Sequence, residues 1–109
     1  MAKKKPTTAQ IKKMERVAQL GCYVWHHFPD RRKECGGRLE VHHKLGEGRN
    51  HDKITCLCTN HHSAQTPLPF GYAVHKGTKS FEERYATQQE MVDWADECLI
   101  NNLDDCIVP

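Results

Sequence analysis

Residues 39–62 read LEVHHKLGEGRNHDKITCLCTNHH, and their periodicity decides the fold. Leu39 and Val41 alternate with polar neighbours behind two turn glycines, which predicts a short strand ending on His42 and His43. GEGRNHD follows as a loop, KITCLC reads as a second strand, and TNHHSAQ opens a helix. The expectation is a hairpin with a functional loop, leading into a helix that starts on a second histidine doublet, His61 and His62.

Working outward, Thr7 and Gln10 have capping-box spacing before a helix on which Ile11, Met14 and Ala18 share a face and which Gly21 ends. Residues 22–36 show no clean period. Residues 66–80, with Pro67, Pro69, Gly71 and Gly77, read as a loop containing His75. Ser80 with Glu83, and Thr87 with Glu90, repeat the capping-box spacing. Met91, Trp94, Ala95, Cys98 and Leu99 then mark the core face of a last helix. The expected fold class is α+β, with residues 1–6 a disordered basic arm and 7–109 one domain. Its core would span about 22–86 and its C-terminal helix about 87–103.

A chain of 109 residues has little stability to spare and needs a staple. It has no apolar run of the ~20 residues that a membrane helix requires, and MAKKKPTTAQ lacks the apolar stretch of a secretory signal. The expected location is the cytoplasm, without membrane contact. In a reducing compartment a framework of disulfides among the six cysteines is not expected, and Cys22, Cys35, Cys56 and Cys58, near histidines, read as metal ligands. Net charge is +5 over residues 1–20, +4 over 21–81 and −7 over 82–109. That polarity suits a polyanion held against one face, although scattered solvated charges give the same totals.

Cys58 and His61 form a CxxH pair, a spacing at which a turn grips one tetrahedral zinc through thiolate and imidazole. Cys22 and Cys35 can complete a closed structural site from a loop folded back over the hairpin. Cys56, alternating with Cys58, is expected on the opposite face of its strand. His42 and His43, neighbours on a strand, point to opposite sides and so take different tasks. One holds a metal while the other accepts a proton from water. With His61 on zinc, His62 is free to join His42 and His75 around a second divalent ion, with His43 beside it. His26 and His27 are read as structural, and His51 as sitting at the rim, within reach of metal or phosphate.

The order HH, polar loop, LCxxHH resembles the HNH (ββα-metal, His-Me finger) nucleases. More narrowly, MERVAQLGC, VHHKLGEGR, a histidine seven residues before Cys58, LCTNHH and AVHKGTKSFEERYA resemble the phage recombination-enhancement, RecA-dependent nucleases over about residues 8–95. The resemblance implies a small zinc-braced ββα-metal core flanked by N- and C-terminal helices. It implies a DNA endonuclease in a bacterial host cytoplasm, partnered by DNA and the RecA filament. It makes His43 the general base and His42, His62 and His75 the ligands of a catalytic Mg²⁺ or Mn²⁺. Cys22, Cys58 and His61 become ligands of a structural Zn²⁺. A three-histidine set equally accepts Mn²⁺, Ni²⁺ or Zn²⁺. Lys44, Arg49, His51 and Lys76, with the Lys3–Lys5 arm, are candidates for DNA contact.

The chain departs from that pattern in two places. Trp25 stands where the family writes the second cysteine of GCxxC, so either Cys35 substitutes or packing around Trp25 replaces part of the zinc site. Lys53 stands at the middle HNH position, whose scaffolding role passes to Asp52 or Asn50 or is lost. The rival expectation is a zinc-stabilised DNA-binding or adaptor module that keeps the fold without cleavage.

Overall fold

The computed structural model describes residues 5–46, 50–63 and 73–101. Along the chain run α1 (Thr8–Val17), α2 (Tyr23–His27), a 3-10 helix (Pro29–Glu34), β1 (Leu39–His43), β2 (Ile54–Cys58), α3 (Thr59–His62), a second 3-10 helix (Val74–Lys76), α4 (Thr78–Arg84) and α5 (Gln88–Asn101). The protein is thus a small α+β structure on a two-stranded antiparallel sheet. Leu39 pairs with Cys58, Val41 with Cys56 and His43 with Ile54. The Lys44 amide donates to the Lys53 carbonyl at 2.9 Å, which continues the pairing past His43.

Every residue of β2 is buried, whereas His42 alone is buried on β1. Thr55 apart, ITCLC is apolar, as suits a strand covered on both faces. One core gathers Val17 and Leu20 with Ile54, Cys56, Ala95 and Cys98. The other gathers Tyr23, Val24, Leu57, Val74, Phe81, Tyr85 and Met91. Trp94 packs against both. β2 is therefore the axis from which β1 and α3 hold their histidines.

The α1 capping box forms as expected: the Gln10 amide donates to Thr7 Oγ1 at 3.1 Å and the Thr7 amide to Gln10 Oε1 at 2.8 Å. Thr87 and Glu90 form the same reciprocal pair before α5, at 3.1 and 3.0 Å. Ser80 does not cap α4. That helix already starts at Thr78, its Gly77 carbonyl accepting from the Phe81 amide at 2.9 Å, because the 3-10 helix at Val74–Lys76 leads straight into it. On α1, Ile11 is 43 % exposed and Val17 takes the packing role expected of it. The missing period over residues 22–36 has a geometric cause: helices of five and six residues are too short to show one. No helix among the described residues is long and apolar enough to cross a membrane.

Candidate metal centres and the paired histidines

β2 ends where α3 begins, so Cys58 and His61 lie on one tight turn, with Cys58 Sγ 3.2 Å from His61 Nδ1. Cys35 Sγ and Cys22 Sγ lie 3.6 and 3.8 Å from the same nitrogen. Zinc bonds of about 2.3 Å to sulfur and 2.0 Å to nitrogen give a tetrahedral edge of about 3.5 Å. The spacing and the soft donor set fit a closed zinc site. Cys35 completes this four-residue group, while Trp25 is 38 % exposed and stacks under the Arg32 guanidinium, 4.9 Å from its ring centroid.

A pair of glycines makes the approach of Cys35 possible. A β-carbon on Gly36 would lie 2.7 Å from Asn60 Nδ2, and one on Gly37 would lie 2.5 Å from Thr59 Cβ. Gly37 also has φ +82°, a conformation side chains disfavour. The Gly36 carbonyl accepts from the Asn60 amide at 3.2 Å, fastening the loop to α3.

The four groups share protons. Burial alone would lower the His61 imidazole, but Cys22 and Cys58 push it up to about 10. Contacts with Cys22 and Cys35 hold the Cys58 thiol far below its ordinary value, while those with Cys22 and Cys58 raise Cys35. Such concentrated thiolate character is what a divalent cation binds in exchange for protons. Behind the group, His61 Nε2 lies 3.2 Å from Glu34 Oε1. Glu34 also accepts from Arg84 at 2.9 Å and from the Tyr85 hydroxyl. Burial opposes its charge, but these donors keep its carboxyl below the usual range. A carboxylate behind a ligating imidazole fixes which ring nitrogen faces the metal.

Cys56 stays out of the group for a reason other than the expected one. Two residues apart on a strand, Cys56 and Cys58 share a face. The Cys56 thiol instead packs in the Val17–Leu20–Ile54 core, 4.0 Å from the Ala18 carbonyl. Burial pushes it up to about 12.

The second group is His42, His62 and His75. β1 supplies the first, α3 the second and the 3-10 helix at Val74–Lys76 the third. Burial falls from His42, fully enclosed, through His62 to the exposed His75, so the group opens toward solvent on one side. His62 Nε2 and His75 Nε2 are 3.1 Å apart, the separation of neighbouring ligands about 2.1 Å from one ion. Glu40 Oε1 accepts from His62 Nδ1 at 2.7 Å, which leaves Nε2 with its lone pair. His42 Nε2 lies 2.7 Å from Gln88 Oε1, and its Nδ1 is buried without a partner among the described residues. Burial, with His62 and His75 nearby, brings His42 down to about 4, so the ring is neutral at ordinary pH. Three imidazoles whose ring nitrogens lie this close together, one of them buried and neutral, fit a divalent cation.

His43 lies outside that triple. Its Nε2 is 3.1 Å from His51 Nδ1, with the rings 5.0 Å apart and edge to face. His51 is 6 % exposed and stands against His43. Lys76 is exposed beside His75, and Lys44 donates to Gln89 Oε1 at 2.9 Å. Arg49 and Lys3–Lys4 lie outside the described residues. Asn50 Oδ1 accepts from the Asp52 amide at 2.9 Å, so Asn50 braces the loop end where Lys53 contributes main-chain contacts. His26 and His27 bond the Leu20 and Tyr23 carbonyls, at 2.7 and 3.0 Å, as structural residues.

Three supporting residues escaped the sequence reading. Glu40 was within reach of it, two positions before His42 on the same face of β1. Glu34 adjoins Cys35 but shows no spacing signal, and Gln88 is 46 residues from His42. The family model described as recombination enhancement, RecA-dependent nuclease matches residues 6–100. No curated protein and no solved structure matches the chain.

Proposed function

The chain belongs to the recombination-enhancement, RecA-dependent nuclease family, and from that premise we propose that it is a divalent-metal-dependent endonuclease hydrolysing DNA with an HNH (ββα-metal) site on β1, β2 and α3. The observation that carries this reading is the convergence of His42, His62 and His75, with a buried nitrogen on the first of them that has no partner among the described residues. It supports a metal-assisted site more than a bare binding surface, which has no use for such a group.

In this reading Cys22, Cys35, Cys58 and His61 hold a structural Zn²⁺, and His42, His62 and His75 hold Mg²⁺ or Mn²⁺. A divalent ion there supplies positive charge against the scissile phosphate. His43, with His51 behind it, takes a proton from a water in line with the phosphorus. The new bond forms from that water oxygen to phosphorus, the bond to the 3′ oxygen breaks, and that oxygen leaves with a proton. The products are a 5′ phosphate and a 3′ hydroxyl. Lys44 and Lys76, and Arg49 from the loop, contact phosphates without reading sequence. Residues 7–109 act as one domain behind a basic arm, in the host cytoplasm, on DNA engaged by the RecA filament.

The test is incubation with single- and double-stranded DNA, with Mg²⁺ or Mn²⁺, with and without RecA and ATP. Cleavage that disappears in His43→Ala is expected. No cleavage under any condition, or cleavage that survives His43→Ala, overturns the proposal. Binding without cleavage would favour the adaptor reading, for which Lys53 at the middle HNH position speaks.

A further inference from the structure

Gln88 is the first residue of α5 and is 6 % exposed. The atom it turns toward His42 also receives the Leu45 amide, at 2.8 Å. A backbone N–H only donates, so that atom must be the amide oxygen and not the amide nitrogen. An amide oxygen only accepts. His42 Nε2, 2.7 Å from the same oxygen, must therefore carry the ring proton. A second proton, on Nδ1, would be buried with no acceptor among the described residues, so Nδ1 is left bare. That bare nitrogen is buried and has no hydrogen-bond partner among the described residues.

Leaving such an atom buried and unsatisfied costs stability. The opposite tautomer would not remove that cost, because it would set a bare Nε2 against an oxygen lone pair. Gln88 is itself held in place: its backbone amide donates to Glu82 Oε2 at 2.8 Å, and Leu45 is fixed to the same side-chain oxygen.

We infer that Gln88 is a positioning residue that selects the Nδ1-bare tautomer of His42 and so makes Nδ1 the metal-binding atom. The inference rests on reading His42, His62 and His75 as a divalent-ion set. Its consequence for the fold is that α5, remote in sequence from every ligand, decides the chemistry of the most deeply buried one. A single side-chain oxygen sets both the ring and the chain leaving β1.

The experiment is long-range ¹H–¹⁵N NMR of ¹⁵N-histidine-labelled protein, zinc-loaded and without a second ion, followed by Mn²⁺ titration calorimetry. Wild type should show His42 as a single tautomer protonated at Nε2. Gln88→Met, which keeps length and burial, should mix or invert the tautomer and weaken Mn²⁺ binding about 10- to 100-fold, as lost outer-shell partners do. Gln88→Glu, which retains the accepting oxygen, should restore both. A purely structural Gln88 would leave the tautomer unmoved in Gln88→Met, and that result overturns the inference. So does a wild-type His42 protonated at Nδ1. If wild type shows the expected tautomer but binds no Mn²⁺, the metal reading of the triple fails separately and the inference falls with it.

Discussion

Glu40 Oε1 accepts a hydrogen bond from His62 Nδ1 at 2.7 Å, tying β1 to α3 beside the His42–His62–His75 group. Glu40 also accepts from Ser63 Oγ and Thr59 Oγ1, each at 3.1 Å, so one carboxylate holds three α3-region side chains. Those donors keep its carboxyl below the ordinary range although burial acts the other way. Glu40→Ala should reduce Mn²⁺ affinity about 10- to 100-fold in calorimetry while zinc content stays the same. Unchanged affinity would show that His62 needs no outer partner.

The zinc group yields the second prediction. Elemental analysis should find one zinc per chain, lost in Cys35→Ser and in Cys58→Ala, with a large fall in Tm. Trp25→Phe should keep the metal, because Trp25 is exposed and lies outside the four-residue group. Zinc retained in Cys35→Ser would return the fourth position to another residue.

The pairing of His43 with His51 leads to a kinetic one. His51→Ala should lower kcat by about 10- to 100-fold, the cost of a loosened reacting geometry, and leave both metal contents unchanged. His51→Asn, which keeps a polar atom for His43, should recover part of the rate. A rate equal to wild type in His51→Ala would remove His51 from the reaction.

The capping pair at α5 carries a pH dependence. The Thr87 amide and hydroxyl hold the Glu90 carboxyl below its ordinary value of 4.5. A depressed folded value means that the ionised form stabilises the fold above about pH 4.5, and that this contribution fades as pH falls through the folded value. Urea unfolding at pH 7 and pH 3.5 should therefore show a smaller acid-induced loss in Glu90→Gln than in wild type. Equal losses would mean that the cap does not matter to stability.

The hairpin, the helix after it and both histidine doublets were legible because strands and helix starts carry local signals, and the strand bounds fall on Leu39–His43 and Ile54–Cys58. The grouping of Cys22 and Cys35 with the CxxH turn was legible from chemistry, though not the glycine pair that lets the loop come so close. Gln88 was not legible. Its position reads as the first turn of a capped helix, and only tertiary packing reveals that its side chain faces back to β1. The enclosure of His51 against His43 was not legible either, because a loop histidine carries no local signal of burial.

The four-residue α3 has one further consequence. It lacks a side-chain cap, and consecutive residues on it, His61 and His62, belong to different centres. So short a helix does not stand alone; the cysteine group at His61 holds it together with Glu40 and the Gly36 carbonyl. Under the proposed reading the two ions are thus not loaded independently. Zinc at His61 would steady the turn that carries His62, so a chain starved of zinc would hold the second ion less well even in abundant Mg²⁺. Nuclease competence would then follow the cell's supply of one metal while its chemistry used another.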